Sequence, residues 1–362
     1  MSDSMNAPSM QRSIVVRFTR GIVALACCFA SIGHAQWWNP NSMIAPGKWE
    51  ALKGSFVYTK YIADQATMVI QQALAANDFA KLDRMHDEFL AMALAGGNGS
   101  QMLESFNSGF VWFGGQTPER VDDLFTDWAR AAPTSKLRGP AEAAAWEALA
   151  WKARGNGYAS EVTPEGSKVF RARLERAVQV LDKASPESRQ SPVWYRVALG
   201  VAGSLGQSPA VLDRIFDEGA GKFAYYYPLY QTRLNYLQPQ WGGDFAQVDT
   251  FVRASVVRTQ SRWGTRIYAM LYGNVAQGYR GEAGFFQATR VTWPLMQHAF
   301  EDGITKPDDW EWLNAYAGFA CMARDRDTTR QLLAELGAHA DLSVWIPTLS
   351  SDACQDLVEE GK

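Results

Sequence analysis

The chain has 362 residues, 47% of them hydrophobic and 20% charged, with a formal charge of −3. That supply of apolar residues suits one large repeat domain or two ordinary ones. The charges are scattered and mildly acidic, which excludes a nucleic-acid binder, built on a basic stripe, and a polybasic membrane-surface binder.

The N-terminus has the order of a secretory signal. Arg12, Arg17 and Arg20 precede an uncharged run from Gly21 to Ile32, and Gly33-His34-Ala35 places small residues where a signal peptidase cleaves. Twelve such residues are too few for a permanent bilayer span. Cleavage after Ala35 is therefore expected, with a periplasmic or secreted mature protein and no stable membrane insertion. The alternatives are an uncleaved anchor or lipidation at Cys27, although Ala24 stands where a lipobox carries a large aliphatic residue. Residues 1–35 are read as signal peptide, 36–57 as an N-terminal extension, and 58–362 as a helical-repeat domain with a C-terminal capping segment. The mature chain carries 32 basic and 37 acidic residues. It keeps two cysteines, Cys321 and Cys354, which pair as a disulfide in an oxidising compartment or remain a buried Cys321 and a loose Cys354.

Helical spacing dominates the rest. Ile62, Ala66, Val69, Ile70, Ala73 and Leu74 fall on one face of a 3.6-residue period. Asn77-Asp78 stops that helix and caps the next, which Phe79, Leu82, Met85, Phe89 and Met92 line. Helices follow over 143–153, which ends at Arg154-Gly155-Asn156-Gly157, and over 169–183, after a loop spanning 155–166. Trp194–Leu205 turns at Gly206-Gln207-Ser208-Pro209 into a second helix that stops at Gly219. Trp312–Ala323 turns at Arg324-Asp325-Arg326-Asp327 into a helix that stops at Gly337. Superimposing Trp194 on Trp312 also aligns Gly200 with Gly318, Ala202 with Ala320 and Gly219 with Gly337. Small residues at fixed places let neighbouring backbones approach, as in stacked α-hairpins. The matching hairpins lie 118 residues apart, far from a regular period of about 34. The expected fold is all-α, built of irregular tetratricopeptide-like (TPR-like) α-hairpin repeats in a solenoid, with curvature toward a toroid as the alternative.

Three segments carry a family resemblance: Trp128-Ala-Arg-Ala-Ala-Pro133-Thr-Ser135, Ala145-Trp146 through Trp151-Lys-Ala-Arg154-Gly155, and Leu237-Gln-Pro239-Gln240-Trp241-Gly242-Gly243-Asp244. Together they resemble the bacterial family called domain of unknown function 4034, over roughly Phe79 to Gly337. Gln240 stands where that family carries Arg and Asp244 where it carries Ser. The resemblance implies a helical-repeat fold and no established activity.

Signatures of chemistry are sparse. His86, His298 and His339 lie far apart, with no His-x-x-His or Glu-x-x-His spacing for a metal. No Gly-x-Ser-x-Gly elbow, Walker loop or dinucleotide fingerprint is present, and no cofactor is implied. Glu104-Ser105-Phe106-Asn107 resembles the glutamate-serine signature of lytic transglycosylases but lacks a residue of it, and Pro294-Leu295-Met296-Gln297 echoes a later motif. The expectation is that Glu104 is a surface residue on a short helix. Fourteen tryptophans admit a glycan-active enzyme on an α/α-toroid, which needs two carboxylates beside stacking aromatics. Asp127, Glu147, Asp244, Asp308, Asp309 and Glu311 lie near tryptophan, and nothing in the sequence selects a pair. The expected functional edge is Tyr227, Tyr230, Trp241, Gly242, Gly243 and Asp244, where glycine lets the chain turn and expose Trp241 or Asp244. The leading expectation is an exported scaffold that binds a protein or peptide in the cell envelope without catalysis. A glycan hydrolase or lyase is the alternative.

Overall fold

A computed structural model describes residues 56–95, 99–155, 157, 161–279, 284–304, 309–341 and 351–359, with backbone alone for 56–62, 99 and 351–353. The signal and extension assigned to 1–57 lie outside these residues, except for Phe56 and Val57. Every described helix belongs to one compact unit, Trp37–Lys362. The described residues form sixteen α-helices with 3-10 turns between some of them and no strand, the all-α class that the apolar spacing predicts.

Caps and prolines fix where helices begin. Thr163 accepts a hydrogen bond from Gly166 N and Pro164 takes the first helical position, so α6 (Pro164–Lys183) begins before the apolar periodicity does. Thr117-Pro118 starts α4 (Pro118–Ala131), and Ser191-Pro192 starts α7 (Pro192–Ser204), in the same way. Gly155, at φ +79°, ends α5 (Arg138–Arg154).

One hairpin turn recurs three times. Between α1 (Phe56–Ala75) and α2 (Phe79–Leu94), Asp78 N donates to Ala73 O, with Asn77 at φ +55°. Between α7 and α8 (Pro209–Lys222), Gln207 N donates to Ala202 O, with Gly206 at φ +68°. Between α14 (Trp310–Met322) and α15 (Arg326–Leu336), Asp325 N donates to Ala320 O, with Arg324 at φ +60°. This is the Schellman closure, in which one left-handed residue satisfies the last carbonyls of the first helix. The segments around Trp194 and Trp312 are thus paired helices with the same turn. The second helix does not stop at Gly219, however. It runs on to Lys222, because Gly219 is a point of close packing: a Cβ there would stand 2.8 Å from Tyr195 and from Leu229.

Helices contact their neighbours in sequence and, on one side, the next helix but one. α1, α3 (Gly99–Phe110), α5, α7, α9 (Tyr227–Asn235) and α11 (Arg266–Gly278) pack successively on one another, and α1 also touches α14. The even-numbered α2, α6, α8 and α10 (Phe245–Trp263) lean against this row. Alanines let α5 lie close to α6, and a Cβ at Gly139 would stand 2.7 Å from Ala184 Cβ. At the C-terminal end Cys321 and Cys354 are bonded, with their Cα atoms 5.6 Å apart and Cys354 fully buried, tying α14 to α16 (Ser351–Glu359).

Candidate functional site

α3 and α7 are each built almost wholly from uncharged residues, and each carries one charge. On α3 it is Glu104, and on α7 it is Arg196. An isolated charge on an apolar helix of the inner row is costly unless it meets an opposite charge or water. Here it meets charge: Arg196 acts on Glu104 of α3 and also on Glu147 of α5. Glu104 is therefore not the surface residue that sequence reasoning expects, since its helix turns that face toward α7.

Helical spacing extends each contact into a stripe. On α7 the stripe is Arg196, Gly200 and Ser204, at i, i+4 and i+8. Ser204 Oγ donates to Glu147 Oε1 at 3.2 Å, and Gly200 leaves room for the same carboxylate. Tyr236, just past α9, donates its hydroxyl to Gly200 O at 3.0 Å and rests its ring on Gly203, where any side chain would collide with it. On α3, Asn107 lies one turn from Glu104. Its Nδ2 donates to Tyr226 Oη at 3.4 Å, while its Oδ1 is buried with no hydrogen-bond partner. On α5, Trp151 lies one turn from Glu147, and its Nε1 is likewise buried and unpartnered.

These residues share an unusual exposure. Glu104, Asn107, Glu147, Trp151, Arg196, Ser204 and Tyr236 all keep part of their surface open. Yet burial pushes the carboxyls of Glu104 and Glu147 above the usual 4.5, against the pull of Arg196 on both and of the Ser204 hydrogen bond on Glu147. Partial opening together with strong desolvation places the two carboxyls between helices, neither in sealed core nor on open surface. Tyr226, which accepts from Asn107, stands near Glu104. It is buried, and burial, with the Glu104 charge adding to it, raises its phenol far above the ordinary value.

An aromatic edge continues from Tyr236. Trp241 meets Tyr236 at 5.6 Å and Trp151 at 6.3 Å between ring centroids, both edge to face, and is 37% exposed. Arg154 lies over the Trp151 ring at 5.3 Å. Gly242, at φ +86°, makes the turn that presents Trp241, and Gly243 fits against the Leu237 backbone, where a Cβ has no room. The other residues expected on this edge do different work. Asp244 caps α10 by accepting from Ala246 N and Gln247 N at 2.7 and 2.8 Å. Tyr227 donates to Met270 O, and Tyr230 is wholly buried, with its hydroxyl given to Ala224 O. Tyr230 is therefore core and not a contact residue.

Elsewhere the polar features are structural. His86 is buried, with Nε2 2.8 Å from Ser191 Oγ and Nδ1 3.1 Å from Asp87. A cleft of about 310 Å³ beside Thr117 and Pro118 holds Lys152 and Arg173, which donate to Gln116 O and Leu149 O. Among the described residues no group of three His, Cys, Asp or Glu side chains is arranged to hold a metal ion. No helix among them is long and apolar enough to cross a membrane. Sequence reasoning names Glu104, Asn107, Glu147 and Trp241 but misses Arg196, Ser204 and Tyr236. The lone charge on the apolar α7 is the signal that points to Arg196. Compared with family models, curated proteins and solved structures, the chain matches none.

Proposed function

We propose that this protein is an exported α-hairpin scaffold that binds a protein or peptide partner in the cell envelope, with the pit between α3, α5 and α7 as its recognition site. One observation carries the reading: Glu104, Glu147 and Arg196 stay half-open between helices although burial desolvates both carboxyls, and Glu104 and Arg196 are the one charge on their respective helices. Charges held this way cost stability, and a fold keeps them where a ligand uses them. Stacked hairpins supply the rigid surface on which such a site is held. A photo-crosslinker at the exposed Ser108, next to Asn107, tests this in the native envelope. A discrete adduct that vanishes in Glu104→Gln and Glu147→Gln is the expected result. Adducts that are absent, or indifferent to both substitutions, overturn it.

The second reading, a glycan hydrolase or lyase, is favoured by the same two carboxyls, raised above the usual range beside Trp151, Trp241 and Tyr236. Turnover of envelope glycan that disappears in Glu104→Gln and in Glu147→Gln would establish it over the first.

A further inference from the structure

We infer that a second site, a pocket where α10, α11 and α13 (Trp293–Gly303) meet, seats the C-terminal residue of a peptide, an apolar side chain together with its free carboxylate. The pocket shares no helix with Glu104, Glu147 and Arg196. It has a volume of about 220 Å³ and is lined by Arg253 and Val256 of α10, Thr265 and Tyr268 at the start of α11, and Leu295 of α13. Sites for whole drug-sized ligands run from about 300 to 1,000 Å³, so this one suits a single side chain.

The walls are apolar for a reason that the helix period supplies. Val248 and Val252 turn α10 toward the core and are fully buried. Arg253, Val256 and Val257 follow at i, i+3 and i+4 on a neighbouring face. Val256 is half-buried there, and Val257 is 69% exposed. On α13, Met296 is fully buried, while its neighbour Leu295 is left 39% exposed at the pocket. Single exposed apolar residues carry no message, but grouped around a cavity they offer a seat for an apolar anchor.

Charge selects the occupant. Arg253 is the one charged residue of the lining, and its side chain is half-exposed. Its Nε donates to Asp249 Oδ2 at 2.8 Å, and its Nη groups donate to none of the described residues. Asp249 is also held by Tyr272 Oη and is 13% exposed, so it is already satisfied. A guanidinium has a second edge, which takes another carboxylate in a two-bond fork. Thr265 gives both its N and its Oγ to Asp302, and Tyr268 Oη accepts from Thr292 N at 3.4 Å. The guest must therefore bring an apolar body and an anionic acceptor within one pocket's length. An acidic side chain brings only the charge, and an apolar side chain inside a chain brings only the body. A C-terminal apolar residue brings both.

Purified full chain is titrated by calorimetry with three acetylated tetrapeptides: Ala-Ala-Ala-Leu as the free acid, the same peptide as its C-terminal amide, and Ala-Ala-Ala-Ala as the free acid. The leucine acid is expected to bind at least about tenfold more tightly than either control. Arg253→Gln, with folding checked by dichroism, should remove the difference between acid and amide. Leu295→Ala should weaken the leucine acid toward the alanine acid while the preference for acid over amide persists. No binding of the leucine acid at about 1 mM, equal binding of acid and amide, equal binding of leucine and alanine acids, or indifference to Arg253→Gln overturns the inference. Glu104→Gln and Glu147→Gln are expected to leave this affinity unchanged. If they weaken it as Arg253→Gln does, the peptide does not sit in this pocket, and the inference falls without touching the reading of the α3–α5–α7 site.

Discussion

Gly200 keeps open the space that the Glu147 carboxylate occupies: a methyl group there would stand 3.2 Å from Oε1 and 3.4 Å from Oε2. The distances are tight but tolerable, so the carboxylate must move by a few tenths of an ångström when Gly200 becomes Ala. Glycine inside a helix costs about 0.5–1 kcal/mol relative to alanine, which offsets the strain. Gly200→Ala is therefore expected to hold its denaturation midpoint within about 1 kcal/mol of the parent. Its partner adduct in the native envelope should weaken, because Glu147 no longer sits under Ser204. A variant that keeps the full adduct would show that the placement of Glu147 is irrelevant.

Glu104 gives a pH signature with a definite sign. Burial raises its folded-state pKa above the ordinary 4.5, so the folded protein holds that proton more tightly than the unfolded chain. Its contribution to stability is full below about pH 4.5 and is lost as pH climbs through the raised value. Glutamine stays neutral throughout. Glu104→Gln should match the parent near pH 4 and exceed it near pH 7 by about 1 kcal/mol, the scale of burying a poorly satisfied polar group. Urea unfolding at both values decides. A Glu104→Gln protein that is weaker at pH 7 would mean that the ionised carboxylate is well satisfied and the pit is a structural ion cluster.

The hairpins were legible because burial alone dictates them. Phe79, Leu82, Met85 and Phe89 follow the helical period and are all buried, as the spacing implies, while Met92 at the end of the same face is half-buried. The turns at Asn77, Gly206 and Arg324 mark helix ends in the sequence and close three hairpins alike. The pit was less legible, since its members come from four separate segments and only packing brings them together. Glu104 looked like a surface residue because nothing local says which way α3 turns. Gly219 was read as a stop, although a glycine also marks close helix packing, and the two uses cannot be told apart without the neighbour. Tyr230 and Trp241 stand eleven residues apart and look equally suited to an edge, yet one is wholly buried and the other 37% exposed.

The bond between Cys321 and Cys354 closes a loop of 33 residues. Constraint of the unfolded chain by such a loop stabilises by roughly 3–4 kcal/mol in the chain-entropy account. The loss on reduction should fall on the end of the chain, because the bond anchors α16 to α14 while the α3–α5–α7 region is remote in sequence. Dithiothreitol, or Cys354→Ser, is expected to increase proteolysis beyond residue 340 and to lower the unfolding midpoint, with the partner adduct at Ser108 unchanged. An adduct lost along with the disulfide would show that the α14–α16 end and the α3–α5–α7 region are coupled.

Arg324 holds the left-handed position that Gly206 fills in the matching hairpin, with φ values of +60° and +68°. An L side chain in that region is strained, whereas glycine is not. Arg324 is exposed, and its backbone N–H closes on Cys321 O, a bond that glycine also makes. Arg324→Gly is thus expected to stabilise by up to about 1 kcal/mol, the relief of left-handed strain outweighing the greater freedom of glycine in the unfolded chain. Arg324→Val, branched at Cβ, should destabilise by at least as much. Chemical denaturation of the pair tests the turn itself. If valine and glycine were equally stable at this position, the α14–α15 connection would not be the Schellman closure shared with the α7–α8 hairpin, and the internal repeat would lose its best structural support.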